Sequence, residues 1–94
     1  MTDAINDIAT ERQRQIESEG WTPEHDDEHG NGDLAKAAAC YANPRRYPDP
    51  RITTPLDWPW DGSWWKPDGG RRRQLVKAAA LIVAEIERLD RSNP

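Results

Sequence analysis

Ninety-four residues, 35% of them apolar and 32% charged, with a formal charge of −4, specify one small polar domain whose core gains from oligomerisation or a bound ligand. No apolar run approaches the roughly 18 residues of a membrane helix and nothing resembles a signal peptide, so neither a membrane partner nor export is expected. The lone cysteine, Cys40, excludes an internal disulfide and suits a cytoplasmic setting, and the acidic balance argues against duplex nucleic acid as a partner.

The charge is unevenly placed. Residues 1–33 carry ten acids against Arg12 and Arg14, whereas residues 34–94 carry eleven bases against seven acids. Such a split describes two solvated faces that attract each other within the fold or across a dimer.

The spacing predicts a first helix over 3–19, capped by Asp3 and stopped by Gly20. Ile5, Ile8, the stem of Arg12 and Ile16 form a thin apolar stripe, which leaves Glu11, Arg14, Gln15 and Glu17 to solvent. A stripe this narrow stabilises little, so the helix needs a partner.

Gly20 to Gly32, GWTPEHDDEHGNG, is the densest polar stretch. Thr22-Pro23 reads as a cap and first-turn proline opening a single helical turn. His25 and His29 are four apart, as in the zinc-protease pattern H-E-x-x-H. Asp26 nevertheless follows the first histidine, the helix is short and Gly30 comes at once. The stretch therefore reads as an acidic, water-facing turn with Trp21 beneath it, without a metal. If a metal is held here, Glu24, Asp27 and Glu28 are the candidate ligands.

Asn31-Gly32-Asp33 caps a second helix, 34–43, whose inner face is mostly alanine with Leu34, Cys40 and Tyr41. Small residues let two backbones approach, so this helix is expected against Ala78–Ala80. Pro44 stops it. Cys40 reads as a small core residue rather than a nucleophile.

Residues 44–70 form a connection with six prolines, too long for a plain turn. Its aromatics Tyr47, Trp58, Trp60, Trp64 and Trp65 are costly to leave in water, at roughly 150–250 Å² each. The Trp58-Pro59-Trp60 alternation puts both indoles on one side of an extended segment. Two readings stay open: the indoles plug a core that has no phenylalanine, or they wall a site for a flat ligand, with Arg45, Arg46, Arg51 and Lys66 near to meet its anionic groups.

Arg71 to Arg91 is the strongest helix of the chain, entered through Gly69-Gly70 and ended by Ser92-Asn93-Pro94. Leu75, Ala79, Ile82, Ile86 and Leu89 make its apolar seam, widened by Ala78, Ala80 and Val83. The seam exceeds what the first helix can cover, so association through this helix is expected. The fold class is thus all-α, a small helical bundle with a long proline- and tryptophan-rich loop, completed by oligomerisation.

A first helix with ERQRQ…GW, an alanine-rich second helix and a last helix reading RRRQLVKAAALIVAEIERLD together resemble the MazG-like all-α nucleotide pyrophosphohydrolases, especially short phage-type members. The likeness covers both ends, about 45 residues, and not the loop. It implies an oligomeric helical bundle holding a nucleotide and Mg²⁺ between helices. The family's E-E-x-x-E and E-x-x-D metal motifs are not kept: Lys36, Ala37 and Cys40 fall on the first, Gln74 and Lys77 on the second. Mg²⁺ needs hard oxygen ligands, whereas lysines supply charge for a phosphate.

Against that background, Lys36, Arg71, Arg72 and Lys77 are the expected phosphate contacts, helped by Arg73 and the free N–H groups of the last helix. Trp21, Trp58, Trp60, Trp64 and Trp65 are the expected aromatic contacts. The chain is expected to bind a nucleotide-like small molecule without hydrolysis or cofactor, in the manner of a phage protein sequestering a nucleotide immune signal in the host cytoplasm. The alternatives are an Mg²⁺-dependent pyrophosphohydrolase using Glu24, Asp27, Glu28 and Glu85, and a ligand-free helical interaction module.

Overall fold

A computed structural model of the chain describes residues 3–92. Four α-helices make up its regular structure: α1 (Asp3–Ser18), α2 (Pro23–Asp27), α3 (Asp33–Ala42) and α4 (Gly70–Ser92), with a 3-10 turn at Gly62–Trp64 in the long connection. No strand occurs among the described residues. The final stop at Asn93-Pro94 lies outside them.

The local signals act where the sequence puts them. Gly20 takes a left-handed φ of 73°, which releases the chain from α1. Thr22 accepts a hydrogen bond from the His25 amide at 3.2 Å and Pro23 opens α2. Gly32, rather than Asp33, stands at the cap of α3, where φ is 80°, and Asp33 falls inside the first turn. Gly69 and Gly70 turn the chain into α4 with φ of 93° and 83°.

α4 is the centre of the molecule and packs against α1, α2 and α3. The alanine-rich α3 docks on it as expected. Leu34, Ala37, Ala38, Cys40 and Tyr41 meet Ala78, Leu81 and Ala84 in one buried cluster that also holds Trp21 and Trp58. Leu34 and Leu81 are fully enclosed, each contributing about 1.5–3 kcal/mol of burial.

Two expectations about helix faces are corrected. The buried face of α4 is Val76, Lys77, Ala78, Ala80, Leu81 and Ala84. The seam of Leu75, Ile82, Ile86 and Leu89 stays 44–52% exposed, because α3 takes the alanine side, where small residues allow the closest approach. On α1, Glu11 and Gln15 point inward instead of to water, each 1% exposed, and Ile5 is 69% exposed. The reason is a polar hub. Glu11 accepts bonds from Arg14 (2.8 Å), Arg73 (2.5 Å) and Gln15 (3.1 Å), so its charge is compensated where it is buried.

The long connection is tied down along its length. Tyr47 Oη accepts from the Leu56 amide at 2.9 Å, Tyr41 Oη accepts from the Lys66 amide at 3.1 Å, and Lys66 Nζ donates to Glu19 at 2.7 Å. Its aromatics close the core: Trp65 stacks on Tyr41 at 4.6 Å, and Trp60 meets Trp58 edge-on at 5.4 Å. Core-plugging is therefore what Trp58 and Trp65 do, while Trp64 keeps 39% of its surface.

Candidate functional site

α3 turns a second face, with Lys36, Ala39 and Cys40, toward the returning loop, and Asn43 follows at its C-terminal cap. Pro44 ends the helix and the chain folds back over that face, enclosing a cleft of about 680 Å³. Lys36 and Arg45 border it, Tyr47, Leu56, Trp58 and Pro59 give it an apolar wall, and Asp33 and Asp57 add carboxylates. Cys40 also lines it, its thiol pushed up from the ordinary value by burial and by the charge of Asp57. A neutral thiol is a poor nucleophile, in keeping with a wall residue.

The residues singled out from sequence do not form one site. Lys36 and Trp58 line the cleft under the loop. Trp21, Trp60 and Trp64 line a second one of about 310 Å³, together with His25, His29, Glu19 and Asp61. Trp65 borders a third, beside Arg45 and Arg46. Arg72 lies at a fourth, with Glu11, Arg14 and Arg73, and is paired with Asp7 at 2.8 Å. Arg71 is exposed at the start of α4.

Lys77 is the clearest departure. It is buried at 6% exposure, and its ammonium donates to the Lys66 carbonyl at 2.6 Å and lies 3.5 Å from Asp68. Burial pulls its pKa below the ordinary lysine value, with Asp68 opposing that shift. The ammonium thus pins the loop to α4. Lys36 and Lys77, expected as one phosphate pair, are parted: Lys36 lines the cleft under the loop and Lys77 is buried against the loop backbone.

The acidic turn divides in the same way. Glu24, Asp27 and Glu28 are exposed, and Asp27 is bound by Arg91 at 2.7 Å. Glu85 is held by Arg88 at 2.7 Å. Asp26, expected to face water within the acidic turn, is instead fully buried against Arg12 at 2.8 Å, which satisfies its charge. Among the described residues no three His, Cys, Asp or Glu side chains converge on a position for one ion.

Asp33 and Asp57 are the cleft residues that sequence reasoning missed, whereas Arg45 and Tyr47 stood among the loop's candidate contacts. Tyr47 and Arg45 were visible only as members of the aromatic and basic loop, and the fold-back that carries them over α3 has no local signature. No family model, curated protein or solved structure matches this chain.

Proposed function

We propose that the protein binds a nucleotide-derived small molecule in the cleft beneath the loop and holds it without cleaving it. The observation that carries this reading is the composition of that cleft: about 680 Å³, within the roughly 300–1,000 Å³ of small-molecule sites, with an aromatic wall and two cations at its border. Tyr47 stands against the base with the uncovered edge of the core-packed Trp58 beside it, Lys36 and Arg45 stand against phosphate, and Asp33 and Asp57 accept from ribose hydroxyls. Stacking supplies about 1–3 kcal/mol and each charged phosphate contact about 1.5–3 kcal/mol. Capture is favoured over turnover because Lys36, Ala37, Cys40, Gln74 and Lys77 stand where the resembled family has the carboxylates that hold Mg²⁺. Sequestration of a nucleotide signal, the role suggested by the resemblance to phage-type MazG-like chains, is the biological form of the same reading.

The test is calorimetric titration in EDTA with cyclic and ADP-ribose-type nucleotides, followed by chromatography of the released ligand. One ligand per cleft, recovered unchanged, with affinity lowered about tenfold or more by Lys36→Ala or Arg45→Ala, is the expected result. Absence of binding across the panel refutes it, and Mg²⁺-dependent release of pyrophosphate supports the hydrolase instead.

A second reading concerns assembly. Leu75, Ile82, Ile86 and Leu89 lie exposed on one side of α4, and Ile82 with Ala79 and Val83 shares an apolar groove of about 500 Å³ with Ile5 and Ile8 of α1. We propose that a second copy of the chain covers this face, which α1 leaves open. The two-fold arrangement of one such face on another makes the interface self-complementary and removes the largest exposed side chains from water. A dimer by sedimentation that Ile82→Glu converts to monomer supports this, and a wild-type monomer at high micromolar concentration excludes it.

A further inference from the structure

We infer that His25 and His29 form a two-histidine chelate for a borderline divalent transition ion of the Zn²⁺ type, in the cleft walled by Trp21, Trp60 and Trp64. The sequence offered only the spacing. The fold adds three things.

The first is proximity. Capping by Thr22 starts α2, and the His29 amide then donates to the Asp26 carbonyl at 3.0 Å, which carries the turn one residue past the helix. The two rings end 4.4 Å apart, centre to centre. An ion about 2.0–2.1 Å from an imidazole nitrogen sits on the order of 3 Å from the ring centre, so rings at this separation suit one ion shared between them.

The second is orientation. His25 Nδ1 lies 3.2 Å from Asp26 Oδ1, and His29 Nδ1 lies 3.1 Å from Asp33 Oδ2. A carboxylate oxygen accepts, so each Nδ1 carries the proton and each Nε2 keeps its lone pair for a ligand. Carboxylates behind metal-binding histidines fix the tautomer and raise ring basicity in this way. Asp26 is itself fixed by Arg12, which also donates to the Trp21 carbonyl at 3.0 Å and thereby ties the turn to α1.

The third is access. Both imidazoles keep about a quarter of their side-chain surface and open into a cleft of about 310 Å³, while Trp60 packs edge-on against each at 6.2 and 5.6 Å. Among the described residues two ligands are supplied and no third converges. Water or an oxygen of a bound molecule completes the shell, as in open rather than structural zinc sites.

The experiment is titration of the metal-free protein with Zn²⁺ alone in a non-chelating buffer, without nucleotide, so its failure leaves the loop cleft reading untouched. Expected are one ion per chain, loss of binding in both His25→Gln and His29→Gln, affinity lowered about 10–100-fold in Asp33→Asn, and no change in Glu28→Gln. Cu²⁺, which quenches nearby indoles, should dim tryptophan fluorescence in the wild type and not in His25→Gln. Circular dichroism establishes that each variant is folded, and the Cu²⁺ signal of the wild type reads the site even where a variant is not. A folded wild type that takes up no Zn²⁺ at submillimolar concentration overturns the inference, as does a folded His25→Gln/His29→Gln protein that binds like the wild type.

Discussion

Replacing Glu11 should be the most damaging single change on the face of α1. Its carboxylate is 1% exposed and is the shared acceptor of Arg14, Gln15 and Arg73. Glu11→Ala takes their carboxylate acceptor from two guanidiniums and leaves the Gln15 amide only its 3.5 Å bond to the Lys77 carbonyl, while Gln15 Oε1 already lacks a partner. Removing one member of a buried charge pair costs about 3–5 kcal/mol. Because Arg14 and Arg73 each keep 36% of their side-chain surface and can turn to water, the lower end, about 3 kcal/mol, applies here. For a domain of this size that lowers Tm by roughly 12–24 °C. The same carboxylate sets a pH dependence. Burial pushes Glu11 upward, but the hydrogen bonds and charges of Arg14 and Arg73 outweigh it, and the folded value ends below the ordinary 4.5. A folded value below the unfolded one gives stability that is complete above the unfolded carboxylate range and is lost as pH falls through the folded value. Urea unfolding followed by tryptophan fluorescence at neutral pH, then down an acid series, measures both. Glu11→Gln should show a shallower acid slope than the wild type. A loss under about 1 kcal/mol in Glu11→Ala, or an unchanged acid slope in Glu11→Gln, would show the hub to be energetically equivalent to a solvated surface pair.

The two leucine faces of α4 should separate cleanly: Leu81→Ala, at a fully enclosed position, costs about 2–5 kcal/mol in urea unfolding, whereas Leu75→Ala costs well under half of that at concentrations where the chain is monomeric. Among the indoles, Trp58→Ala should lose about 3–5 kcal/mol and Trp64→Ala far less, since Trp58 is 8% and Trp64 39% exposed. Thr22→Ala removes the cap of α2 and should cost about 1 kcal/mol, read as a small downward shift of Tm in calorimetry.

The helices were legible because their start and stop signals are local. Gly20, the Thr22-Pro23 pair, Pro44 and Gly69-Gly70 each act on the backbone within a turn, and the structure places helix ends within one or two residues of them. Which face of a helix is buried is not local. Periodicity pointed to Leu75, Ile82, Ile86 and Leu89, but beyond the expected Ala78 packing chose Leu81 and Ala84, because α3 offers Ala37 and Ala38 and two alanine faces approach most closely. Hydropathy likewise sent Glu11 and Gln15 to water. Their burial depends on Arg73, sixty-two positions along the chain from Glu11. The candidate site was half legible for the same reason. Lys36 and the tryptophans stand out as residue types, but only the fold-back of the loop decides that Lys36 meets Trp58 and Arg45 while Lys77 is spent on the Lys66 carbonyl.

The charge split of the sequence finds its physical meaning in these same contacts. Acids of the N-terminal third are matched by bases of the later chain: Asp7 with Arg72, Glu11 with Arg73, Glu19 with Lys66 and Asp27 with Arg91. Arg12, one of only two bases in that third, reaches the opposite way to Glu87. The pairs run from one end of α4 to the other, so they act on the register of α4 against α1 and α2 rather than on any one contact. Exposed pairs of this kind are worth little singly, about 0–1 kcal/mol, and two of the four acids, Asp7 and Asp27, are half exposed. Their weight lies in selection. Sliding α4 by one turn would part Arg72 from Asp7 and Arg91 from Asp27 and would bury the hub carboxylate of Glu11 without Arg73, which is far costlier than losing a surface pair. Apolar packing between alanine faces is tolerant of such a slide, since one alanine resembles the next. The charges supply the discrimination that the small side chains lack, and they hold the loop end at Lys66 and the turn at Asp27 in place beside the two clefts.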